Sequence, residues 1–204
     1  MVKFTCTNAA LFCCQAALAF AQGDSDGSRP VAAIDTGLLI GTTTTDPSLN
    51  YNVNNFLGIP FAKPPVRWQL AEKPESWQGV RDASQFGNAC HQRLNSPGTN
   101  DALLEKFFNN PPASVPDSED CLYLNVYVPK PPPLPRLQSS TTGKPVMFWI
   151  HGGSDAGGTA ALPIYNATGL AGNQDVIVVT TNYRLNVFGF PGSPDLPKSV
   201  QNFG

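Results

Sequence analysis

The decisive stretch runs from Val146 to Thr159 and reads V-M-F-W-I-H-G-G-S-D-A-G-G-T. Val146 to Ile150 form an unbroken apolar run between Pro145 and a glycine-rich segment. A short run of this kind suits a strand buried on both faces. Gly152, Gly153, Gly157 and Gly158 follow, so the chain leaves the strand through a turn that side chains would obstruct. Glycines also leave backbone N–H groups open to whatever lies against them. Such donors, at the end of a buried strand, are placed to stabilise a developing negative charge. A tight structural turn after a core strand accounts for the same residues.

A strand followed by His151-Gly152-Gly153 resembles the oxyanion-hole loop of esterases and lipases with the α/β-hydrolase fold. The resemblance implies that Gly153 and Ser154 serve as oxyanion donors through their backbone N–H groups. Ser154 stands where the usual motif has a third glycine, but any residue except proline carries the required N–H. His151 belongs to the loop motif and is not the expected catalytic base. Asp155 follows where relatives often carry an aromatic residue, which makes that side of the pocket more polar.

The chain has 204 residues, with 20 prolines and 18 glycines, a composition of many turns and few long helices. Its net charge of −2 gives no electrostatic case for nucleic acid. It has two histidines, His91 and His151, and no metal-ligand spacing, so a His-based metal site is not expected, and the resemblance to esterases implies a mechanism with no cofactor. Residues 1–21 read as a signal peptide. Lys3 gives a positive start, Ala9 to Phe20 an apolar segment, and Ala19-Phe20-Ala21 the small residues before a cleavage point. The apolar segment is shorter than the roughly 18 residues a membrane anchor needs, so no stable anchor is expected. A secreted, extracellular domain over residues 22–204 follows. Cleavage would leave Cys90 and Cys121, and two cysteines in a secreted domain are expected to pair.

Around the second cysteine the chain reads Ser118-Glu119-Asp120-Cys121-Leu122-Tyr123-Leu124-Asn125-Val126-Tyr127-Val128. From Cys121 onward this is rich in β-formers and ends at Pro129, so it reads as a strand. The string resembles the E-D-C-L-Y-L-N-V signature of type-B carboxylesterases, the cholinesterase-like family. The resemblance implies a disulfide from Cys121 to Cys90, and a structural ion pair between Arg67 and Glu119. It extends along most of the mature chain. Phe56-Leu57-Gly58-Ile59-Pro60-Phe61-Ala62, the segment from Pro64 to Trp77, Asn182-Tyr183-Arg184-Leu185 and Phe188-Gly189-Phe190 all resemble family segments.

The remaining elements fit an α/β fold, the N-terminal and incomplete part of an α/β-hydrolase, with a mostly parallel central sheet. Val31 to Thr43 predict a small hairpin about Thr36-Gly37. Val176 to Val179 form a second buried apolar run, far enough from the first for the crossover that parallel strands require. A short helix over Ala167 to Gly172 fits within it. Pro129 to Lys144 read as a proline-rich surface connection. Asn166-Ala167-Thr168 is the usable N-glycosylation sequon.

No G-x-S-x-G elbow occurs in the sequence. Gly152-Gly153-Ser154-Asp155-Ala156 comes nearest but ends in alanine and lies in the oxyanion loop. In the family the nucleophile, acid and catalytic histidine all come later, and no residue here corresponds to them. The resemblance therefore implies a carboxylic ester hydrolase acting by an acyl-enzyme on a small-molecule or lipid ester, with this chain expected to be inactive alone. A non-catalytic extracellular binding protein of the same family and an inactive truncated product are the alternatives.

Overall fold

The computed structural model describes residues 29–47, 51–92, 115–130, 143–197 and 201–204. The expected signal peptide and most of the proline-rich connection lie outside them. Strands β1 (Val31–Ile34) and β2 (Gly37–Ile40) form the expected antiparallel hairpin. β3 (Thr42–Asp46) and β4 (Tyr51–Pro60) follow, then the short strands β5 (Val80–Asp82), β6 (Ala89–Cys90) and β7 (Asp117–Ser118). β8 (Tyr123–Pro129) and β9 (Val146–Ile150) precede a 3-10 turn at Pro163–Tyr165 and helix α1 (Thr168–Gln174). β10 (Ile177–Thr181) and the single-turn helix α2 (Asn186–Gly189) complete the described elements.

The described residues form three sheets. The largest has the order β3-β4-β8-β10-β9, and the smaller ones are β1-β2-β5 and β6-β7. β8 shows why the large sheet has two buried faces at its middle. Its side chains alternate, as the period of a strand requires. Leu124, Val126 and Val128 pack on a cluster of Ala32, Leu39, Phe56, Ile59 and Ala83. Tyr127 faces the other way, onto Val53, Val178, Ala167 just before α1, and Ala171 within it. A third cluster gathers Ala62, Leu122 and Leu185 about Cys90 and Cys121.

Two expectations are corrected. The large sheet is mixed rather than mostly parallel, because β3–β4, β4–β8 and β8–β10 pair antiparallel. Its one parallel pairing is β9 with β10, in register from Val146↔Ile177 to Ile150↔Thr181, across the crossover that carries α1. The second correction concerns β9, which is a strand but is not buried. Its five residues are between 47 % and 62 % exposed. β9 is the edge of the sheet, and among the described residues Tyr165 is the aromatic that reaches it, 5.6 Å from Trp149 between ring centroids.

Candidate functional site: the glycine loop after β9

The loop from His151 to Ala161 turns sharply at once. Gly153 has a φ of +140°, and Ser154 and Asp155 follow in the left-handed region at +53° and +57°. The N–H groups of Ala156 and Gly157 both donate to the Gly153 carbonyl, at 3.1 and 3.2 Å, and close the turn. Gly153 is required there, since a Cβ on it would lie 1.8 Å from the Gly157 carbonyl oxygen. Among the described residues the N–H groups of Gly152, Gly153 and Ser154 have no hydrogen-bond acceptor, and all three residues are exposed. Successive unpaired N–H groups in a turn make a concavity suited to an anion.

The rest of the loop is pinned. His151 is 2 % exposed and stacks on the Tyr183 ring at 4.6 Å, while the Tyr183 hydroxyl donates to the His151 carbonyl at 3.1 Å. His151 Nδ1 lies 3.0 Å from the Gly152 carbonyl, an acceptor, which assigns the proton to Nδ1. Burial pushes the His151 pKa below its ordinary value of 6.5, with the Gly152 carbonyl opposing more weakly. A neutral, enclosed imidazole is a structural member of the loop and is not placed to shuttle protons. Further along, the Asn186 N–H donates to the Asp155 carbonyl at 2.7 Å.

Three carboxamides hold the distal leg. Gln92 accepts from the Gly158 N–H at 2.6 Å and donates to the Gly158 carbonyl at 2.7 Å. Asn182 accepts from the Ala160 N–H at 2.8 Å and from the Thr159 hydroxyl at 3.2 Å, and donates to the carbonyls of Asn88 and Cys121. Asn125, inward on β8, donates to Thr180 Oγ1 at 2.9 Å and accepts from the Gly58 N–H at 3.0 Å. None of these three was singled out from the sequence. Asn125 and Asn182 carried a signal nonetheless, as amides inside or at the end of apolar runs, where a buried polar group must find partners.

The other residues expected from the sequence lie as follows. Cys90 and Cys121 are joined by a disulfide across a separation of 31 residues, both sulfurs in the core. Arg67 and Glu119 form a bidentate pair, with Arg67 Nε 2.7 and 2.8 Å from the two Glu119 oxygens. The Arg67 guanidinium holds the Glu119 carboxyl below its ordinary range. This pair borders a shallow open depression that also includes His91, Arg184 and Phe188, but neither Gly153 nor Ser154. The pair and the glycine loop are therefore separate features. Asn166 is exposed at the start of α1, where its Oδ1 accepts from the Thr168 N–H and hydroxyl. Among the described residues no group of three or more His, Cys, Asp or Glu could hold a metal ion, and no helix is long and apolar enough to cross a membrane.

A sheet ending in a glycine turn leaves N–H donors at the end of a strand, where they can face a negative charge. Residues 28–204 match the carboxylesterase family, and the chain belongs to that family, which implies an α/β-hydrolase fold. It is 40 % identical to a cocaine esterase of Oryctolagus cuniculus over 173 residues, 83 % of this chain and 30 % of that protein. It is also 40 % identical to an acetylcholinesterase of Danio rerio over 187 residues, 89 % of this chain and 27 % of that protein. A fumonisin B1 esterase of Sphingopyxis macrogoltabida is 36 % identical over 199 residues, 86 % of this chain and 33 % of that protein. The chain thus spans about a third or less of the length of these relatives.

Proposed function

We propose that residues 22–204 form the amino-terminal part of an α/β-hydrolase domain in a carboxylic ester hydrolase, and that Gly153 and Ser154 supply its oxyanion donors. The observation that carries this reading is the exposed N–H groups of those two residues beyond the end of β9, which have no acceptor among the described residues. In a serine hydrolase the attacking hydroxyl turns an ester carbonyl into a tetrahedral oxyanion, and fixed N–H donors stabilise it. The 204 residues contain no G-x-S-x-G elbow, so on this reading the nucleophile, its base and its acid come from sequence beyond them, and residues 22–204 alone do not turn over esters. A small-molecule or lipid ester is the substrate class. Secretion with a start near Gln22, a Cys90–Cys121 crosslink in the mature protein, and a glycan on the exposed Asn166 belong to the same reading.

The test is direct. The full-length protein, purified from a secreting host, hydrolyses p-nitrophenyl acetate and takes up one equivalent of a fluorophosphonate. Absence of both refutes the hydrolase reading and favours a binding protein of the same family.

A further inference from the structure

The donors sit on the exposed leg of the loop, and the opposite leg is tied through Gln92 to the backbone of the disulfide. We propose that Gln92 is a positioning residue for the Gly153 and Ser154 N–H groups, acting through Gly158; this rests on the oxyanion reading of the loop. Its carboxamide makes a reciprocal pair with Gly158, accepting from the N–H at 2.6 Å and donating to the carbonyl at 2.7 Å. The same Nε2 donates to the Cys90 carbonyl at 3.0 Å. Cys90 is crosslinked to Cys121, and the Cys121 carbonyl accepts from Asn182, which also holds Thr159 and Ala160. Gln92 thus anchors Gly158 to a backbone that the disulfide crosslinks.

Gly158 passes that constraint on by contact. Its φ is +107°, and a Cβ built on it would lie 2.5 Å from His151 Nδ1 and 2.6 Å from the Gly152 carbonyl oxygen. The backbone of Gly158 therefore lies directly against the two residues that precede the donors. A shift of Gly158 moves Gly152, and with it the direction of the Gly153 and Ser154 N–H bonds. A misplacement of about 1 Å in a catalytic group costs roughly 10²-fold in rate. Gln92 touches neither the substrate position nor the donors, so its effect falls on the transition state through geometry and leaves ground-state binding nearly unchanged.

The experiment compares the full-length wild type with Q92L, which keeps the bulk and loses all three hydrogen bonds, and Q92E, which keeps the acceptor for the Gly158 N–H. Competent sites are counted with a fluorophosphonate, so misfolded protein does not enter kcat. The expected result is a kcat per site lowered about 10- to 100-fold in Q92L, with KM within about threefold of wild type. In Q92E a carboxylate opposes the carbonyls of Gly158 and Cys90, and protonation restores a donor. The ratio of its kcat to that of wild type therefore rises as pH falls, a profile that simple loss of packing does not produce. Hydrogen exchange reads the loop without chemistry: the amides of Ala156 and Gly157, which close the turn on Gly153, exchange faster in Q92L and Q92E. Unchanged exchange at those amides overturns the proposal, as does a wild-type kcat per site in Q92L. If the wild type shows neither turnover nor labelling, the hydrolase reading fails and loop exchange alone decides the role of Gln92.

Discussion

The two legs of the glycine loop are built on opposite principles. The proximal leg, Gly152 to Asp155, is exposed and holds two non-glycine residues at positive φ, with donors left unpaired. The distal leg, from Gly158 to Ala161, runs into the core, and Gln92, Asn125 and Asn182 bond to it. Backbone strain of this kind persists where the surroundings over-determine it. The contrast teaches that the openness of one leg depends on the saturation of the other.

The sharpest way to break that contrast is Ser154→Pro in the full-length protein. Proline removes one donor and requires a φ near −65° where the chain has +53°. Turnover should fall by about 10²–10³-fold, whereas Ser154→Ala keeps the N–H and should retain most activity. Steady-state kinetics on p-nitrophenyl acetate read both, and equal losses would show that the Ser154 side chain itself does chemistry. Next in size is Asn182→Ala, which removes two hydrogen bonds from the distal leg and leaves the Asn88 and Cys121 carbonyls each short of a donor. A loss of about 2–4 kcal/mol is expected, read as a lower Tm and a lower chemical-denaturation midpoint.

His151 adds a pH dependence to the proximal leg. Burial lowers its folded-state pKa below the 6.5 of a free imidazole. Between those two values the unfolded chain binds more protons than the folded one, so stability rises with pH there. The contribution is complete above about pH 6.5 and is lost as pH falls through the lowered folded-state value. Thermal melts between about pH 7.5 and pH 5 should show a shallower decline for His151→Gln than for the wild type. The pair of Arg67 and Glu119 acts in a lower window, because the Glu119 carboxyl is held below its ordinary 4.5 and its contribution is lost only as pH falls through that depressed value. The smallest effect is Ser154→Gly, which relieves a left-handed φ at the cost of added freedom in the unfolded chain. A net gain of about 0.5 kcal/mol, measured by denaturant titration, is expected.

Much of this loop was legible because its signals are local. Glycines at 153 and 158 announced a backbone with no room for side chains, and the contacts a Cβ would make there are of that kind. The hairpin at Thr36-Gly37, strand β8 and the crossover to β10 were legible for the same reason, through turn residues and β-formers. The exposure of β9 was not, because an apolar run records what a strand prefers to pack against and not which neighbours it has. Strand direction was lost similarly: β4 ends at Pro60 and β8 begins only at Tyr123, and nothing in either fixes how they meet. Gln92 was invisible because a glutamine between His91 and Arg93 reads as surface, and its partner Gly158 is 66 residues away. A long-range amide pair leaves no periodicity to detect.

The order β8-β10-β9 also has a consequence in time. β8 and β9 are successive among the described strands, yet they do not pair in the sheet, because the later strand β10 lies between them. β9 cannot join by zipping onto what was made before it. It has no partner in this sheet until Ile177 to Thr181 have left the ribosome. At roughly 5–20 residues per second this wait is on the order of seconds. For that interval Val-Met-Phe-Trp-Ile is an unpaired apolar ribbon in the nascent chain, and the glycine loop behind it has no sheet to spring from.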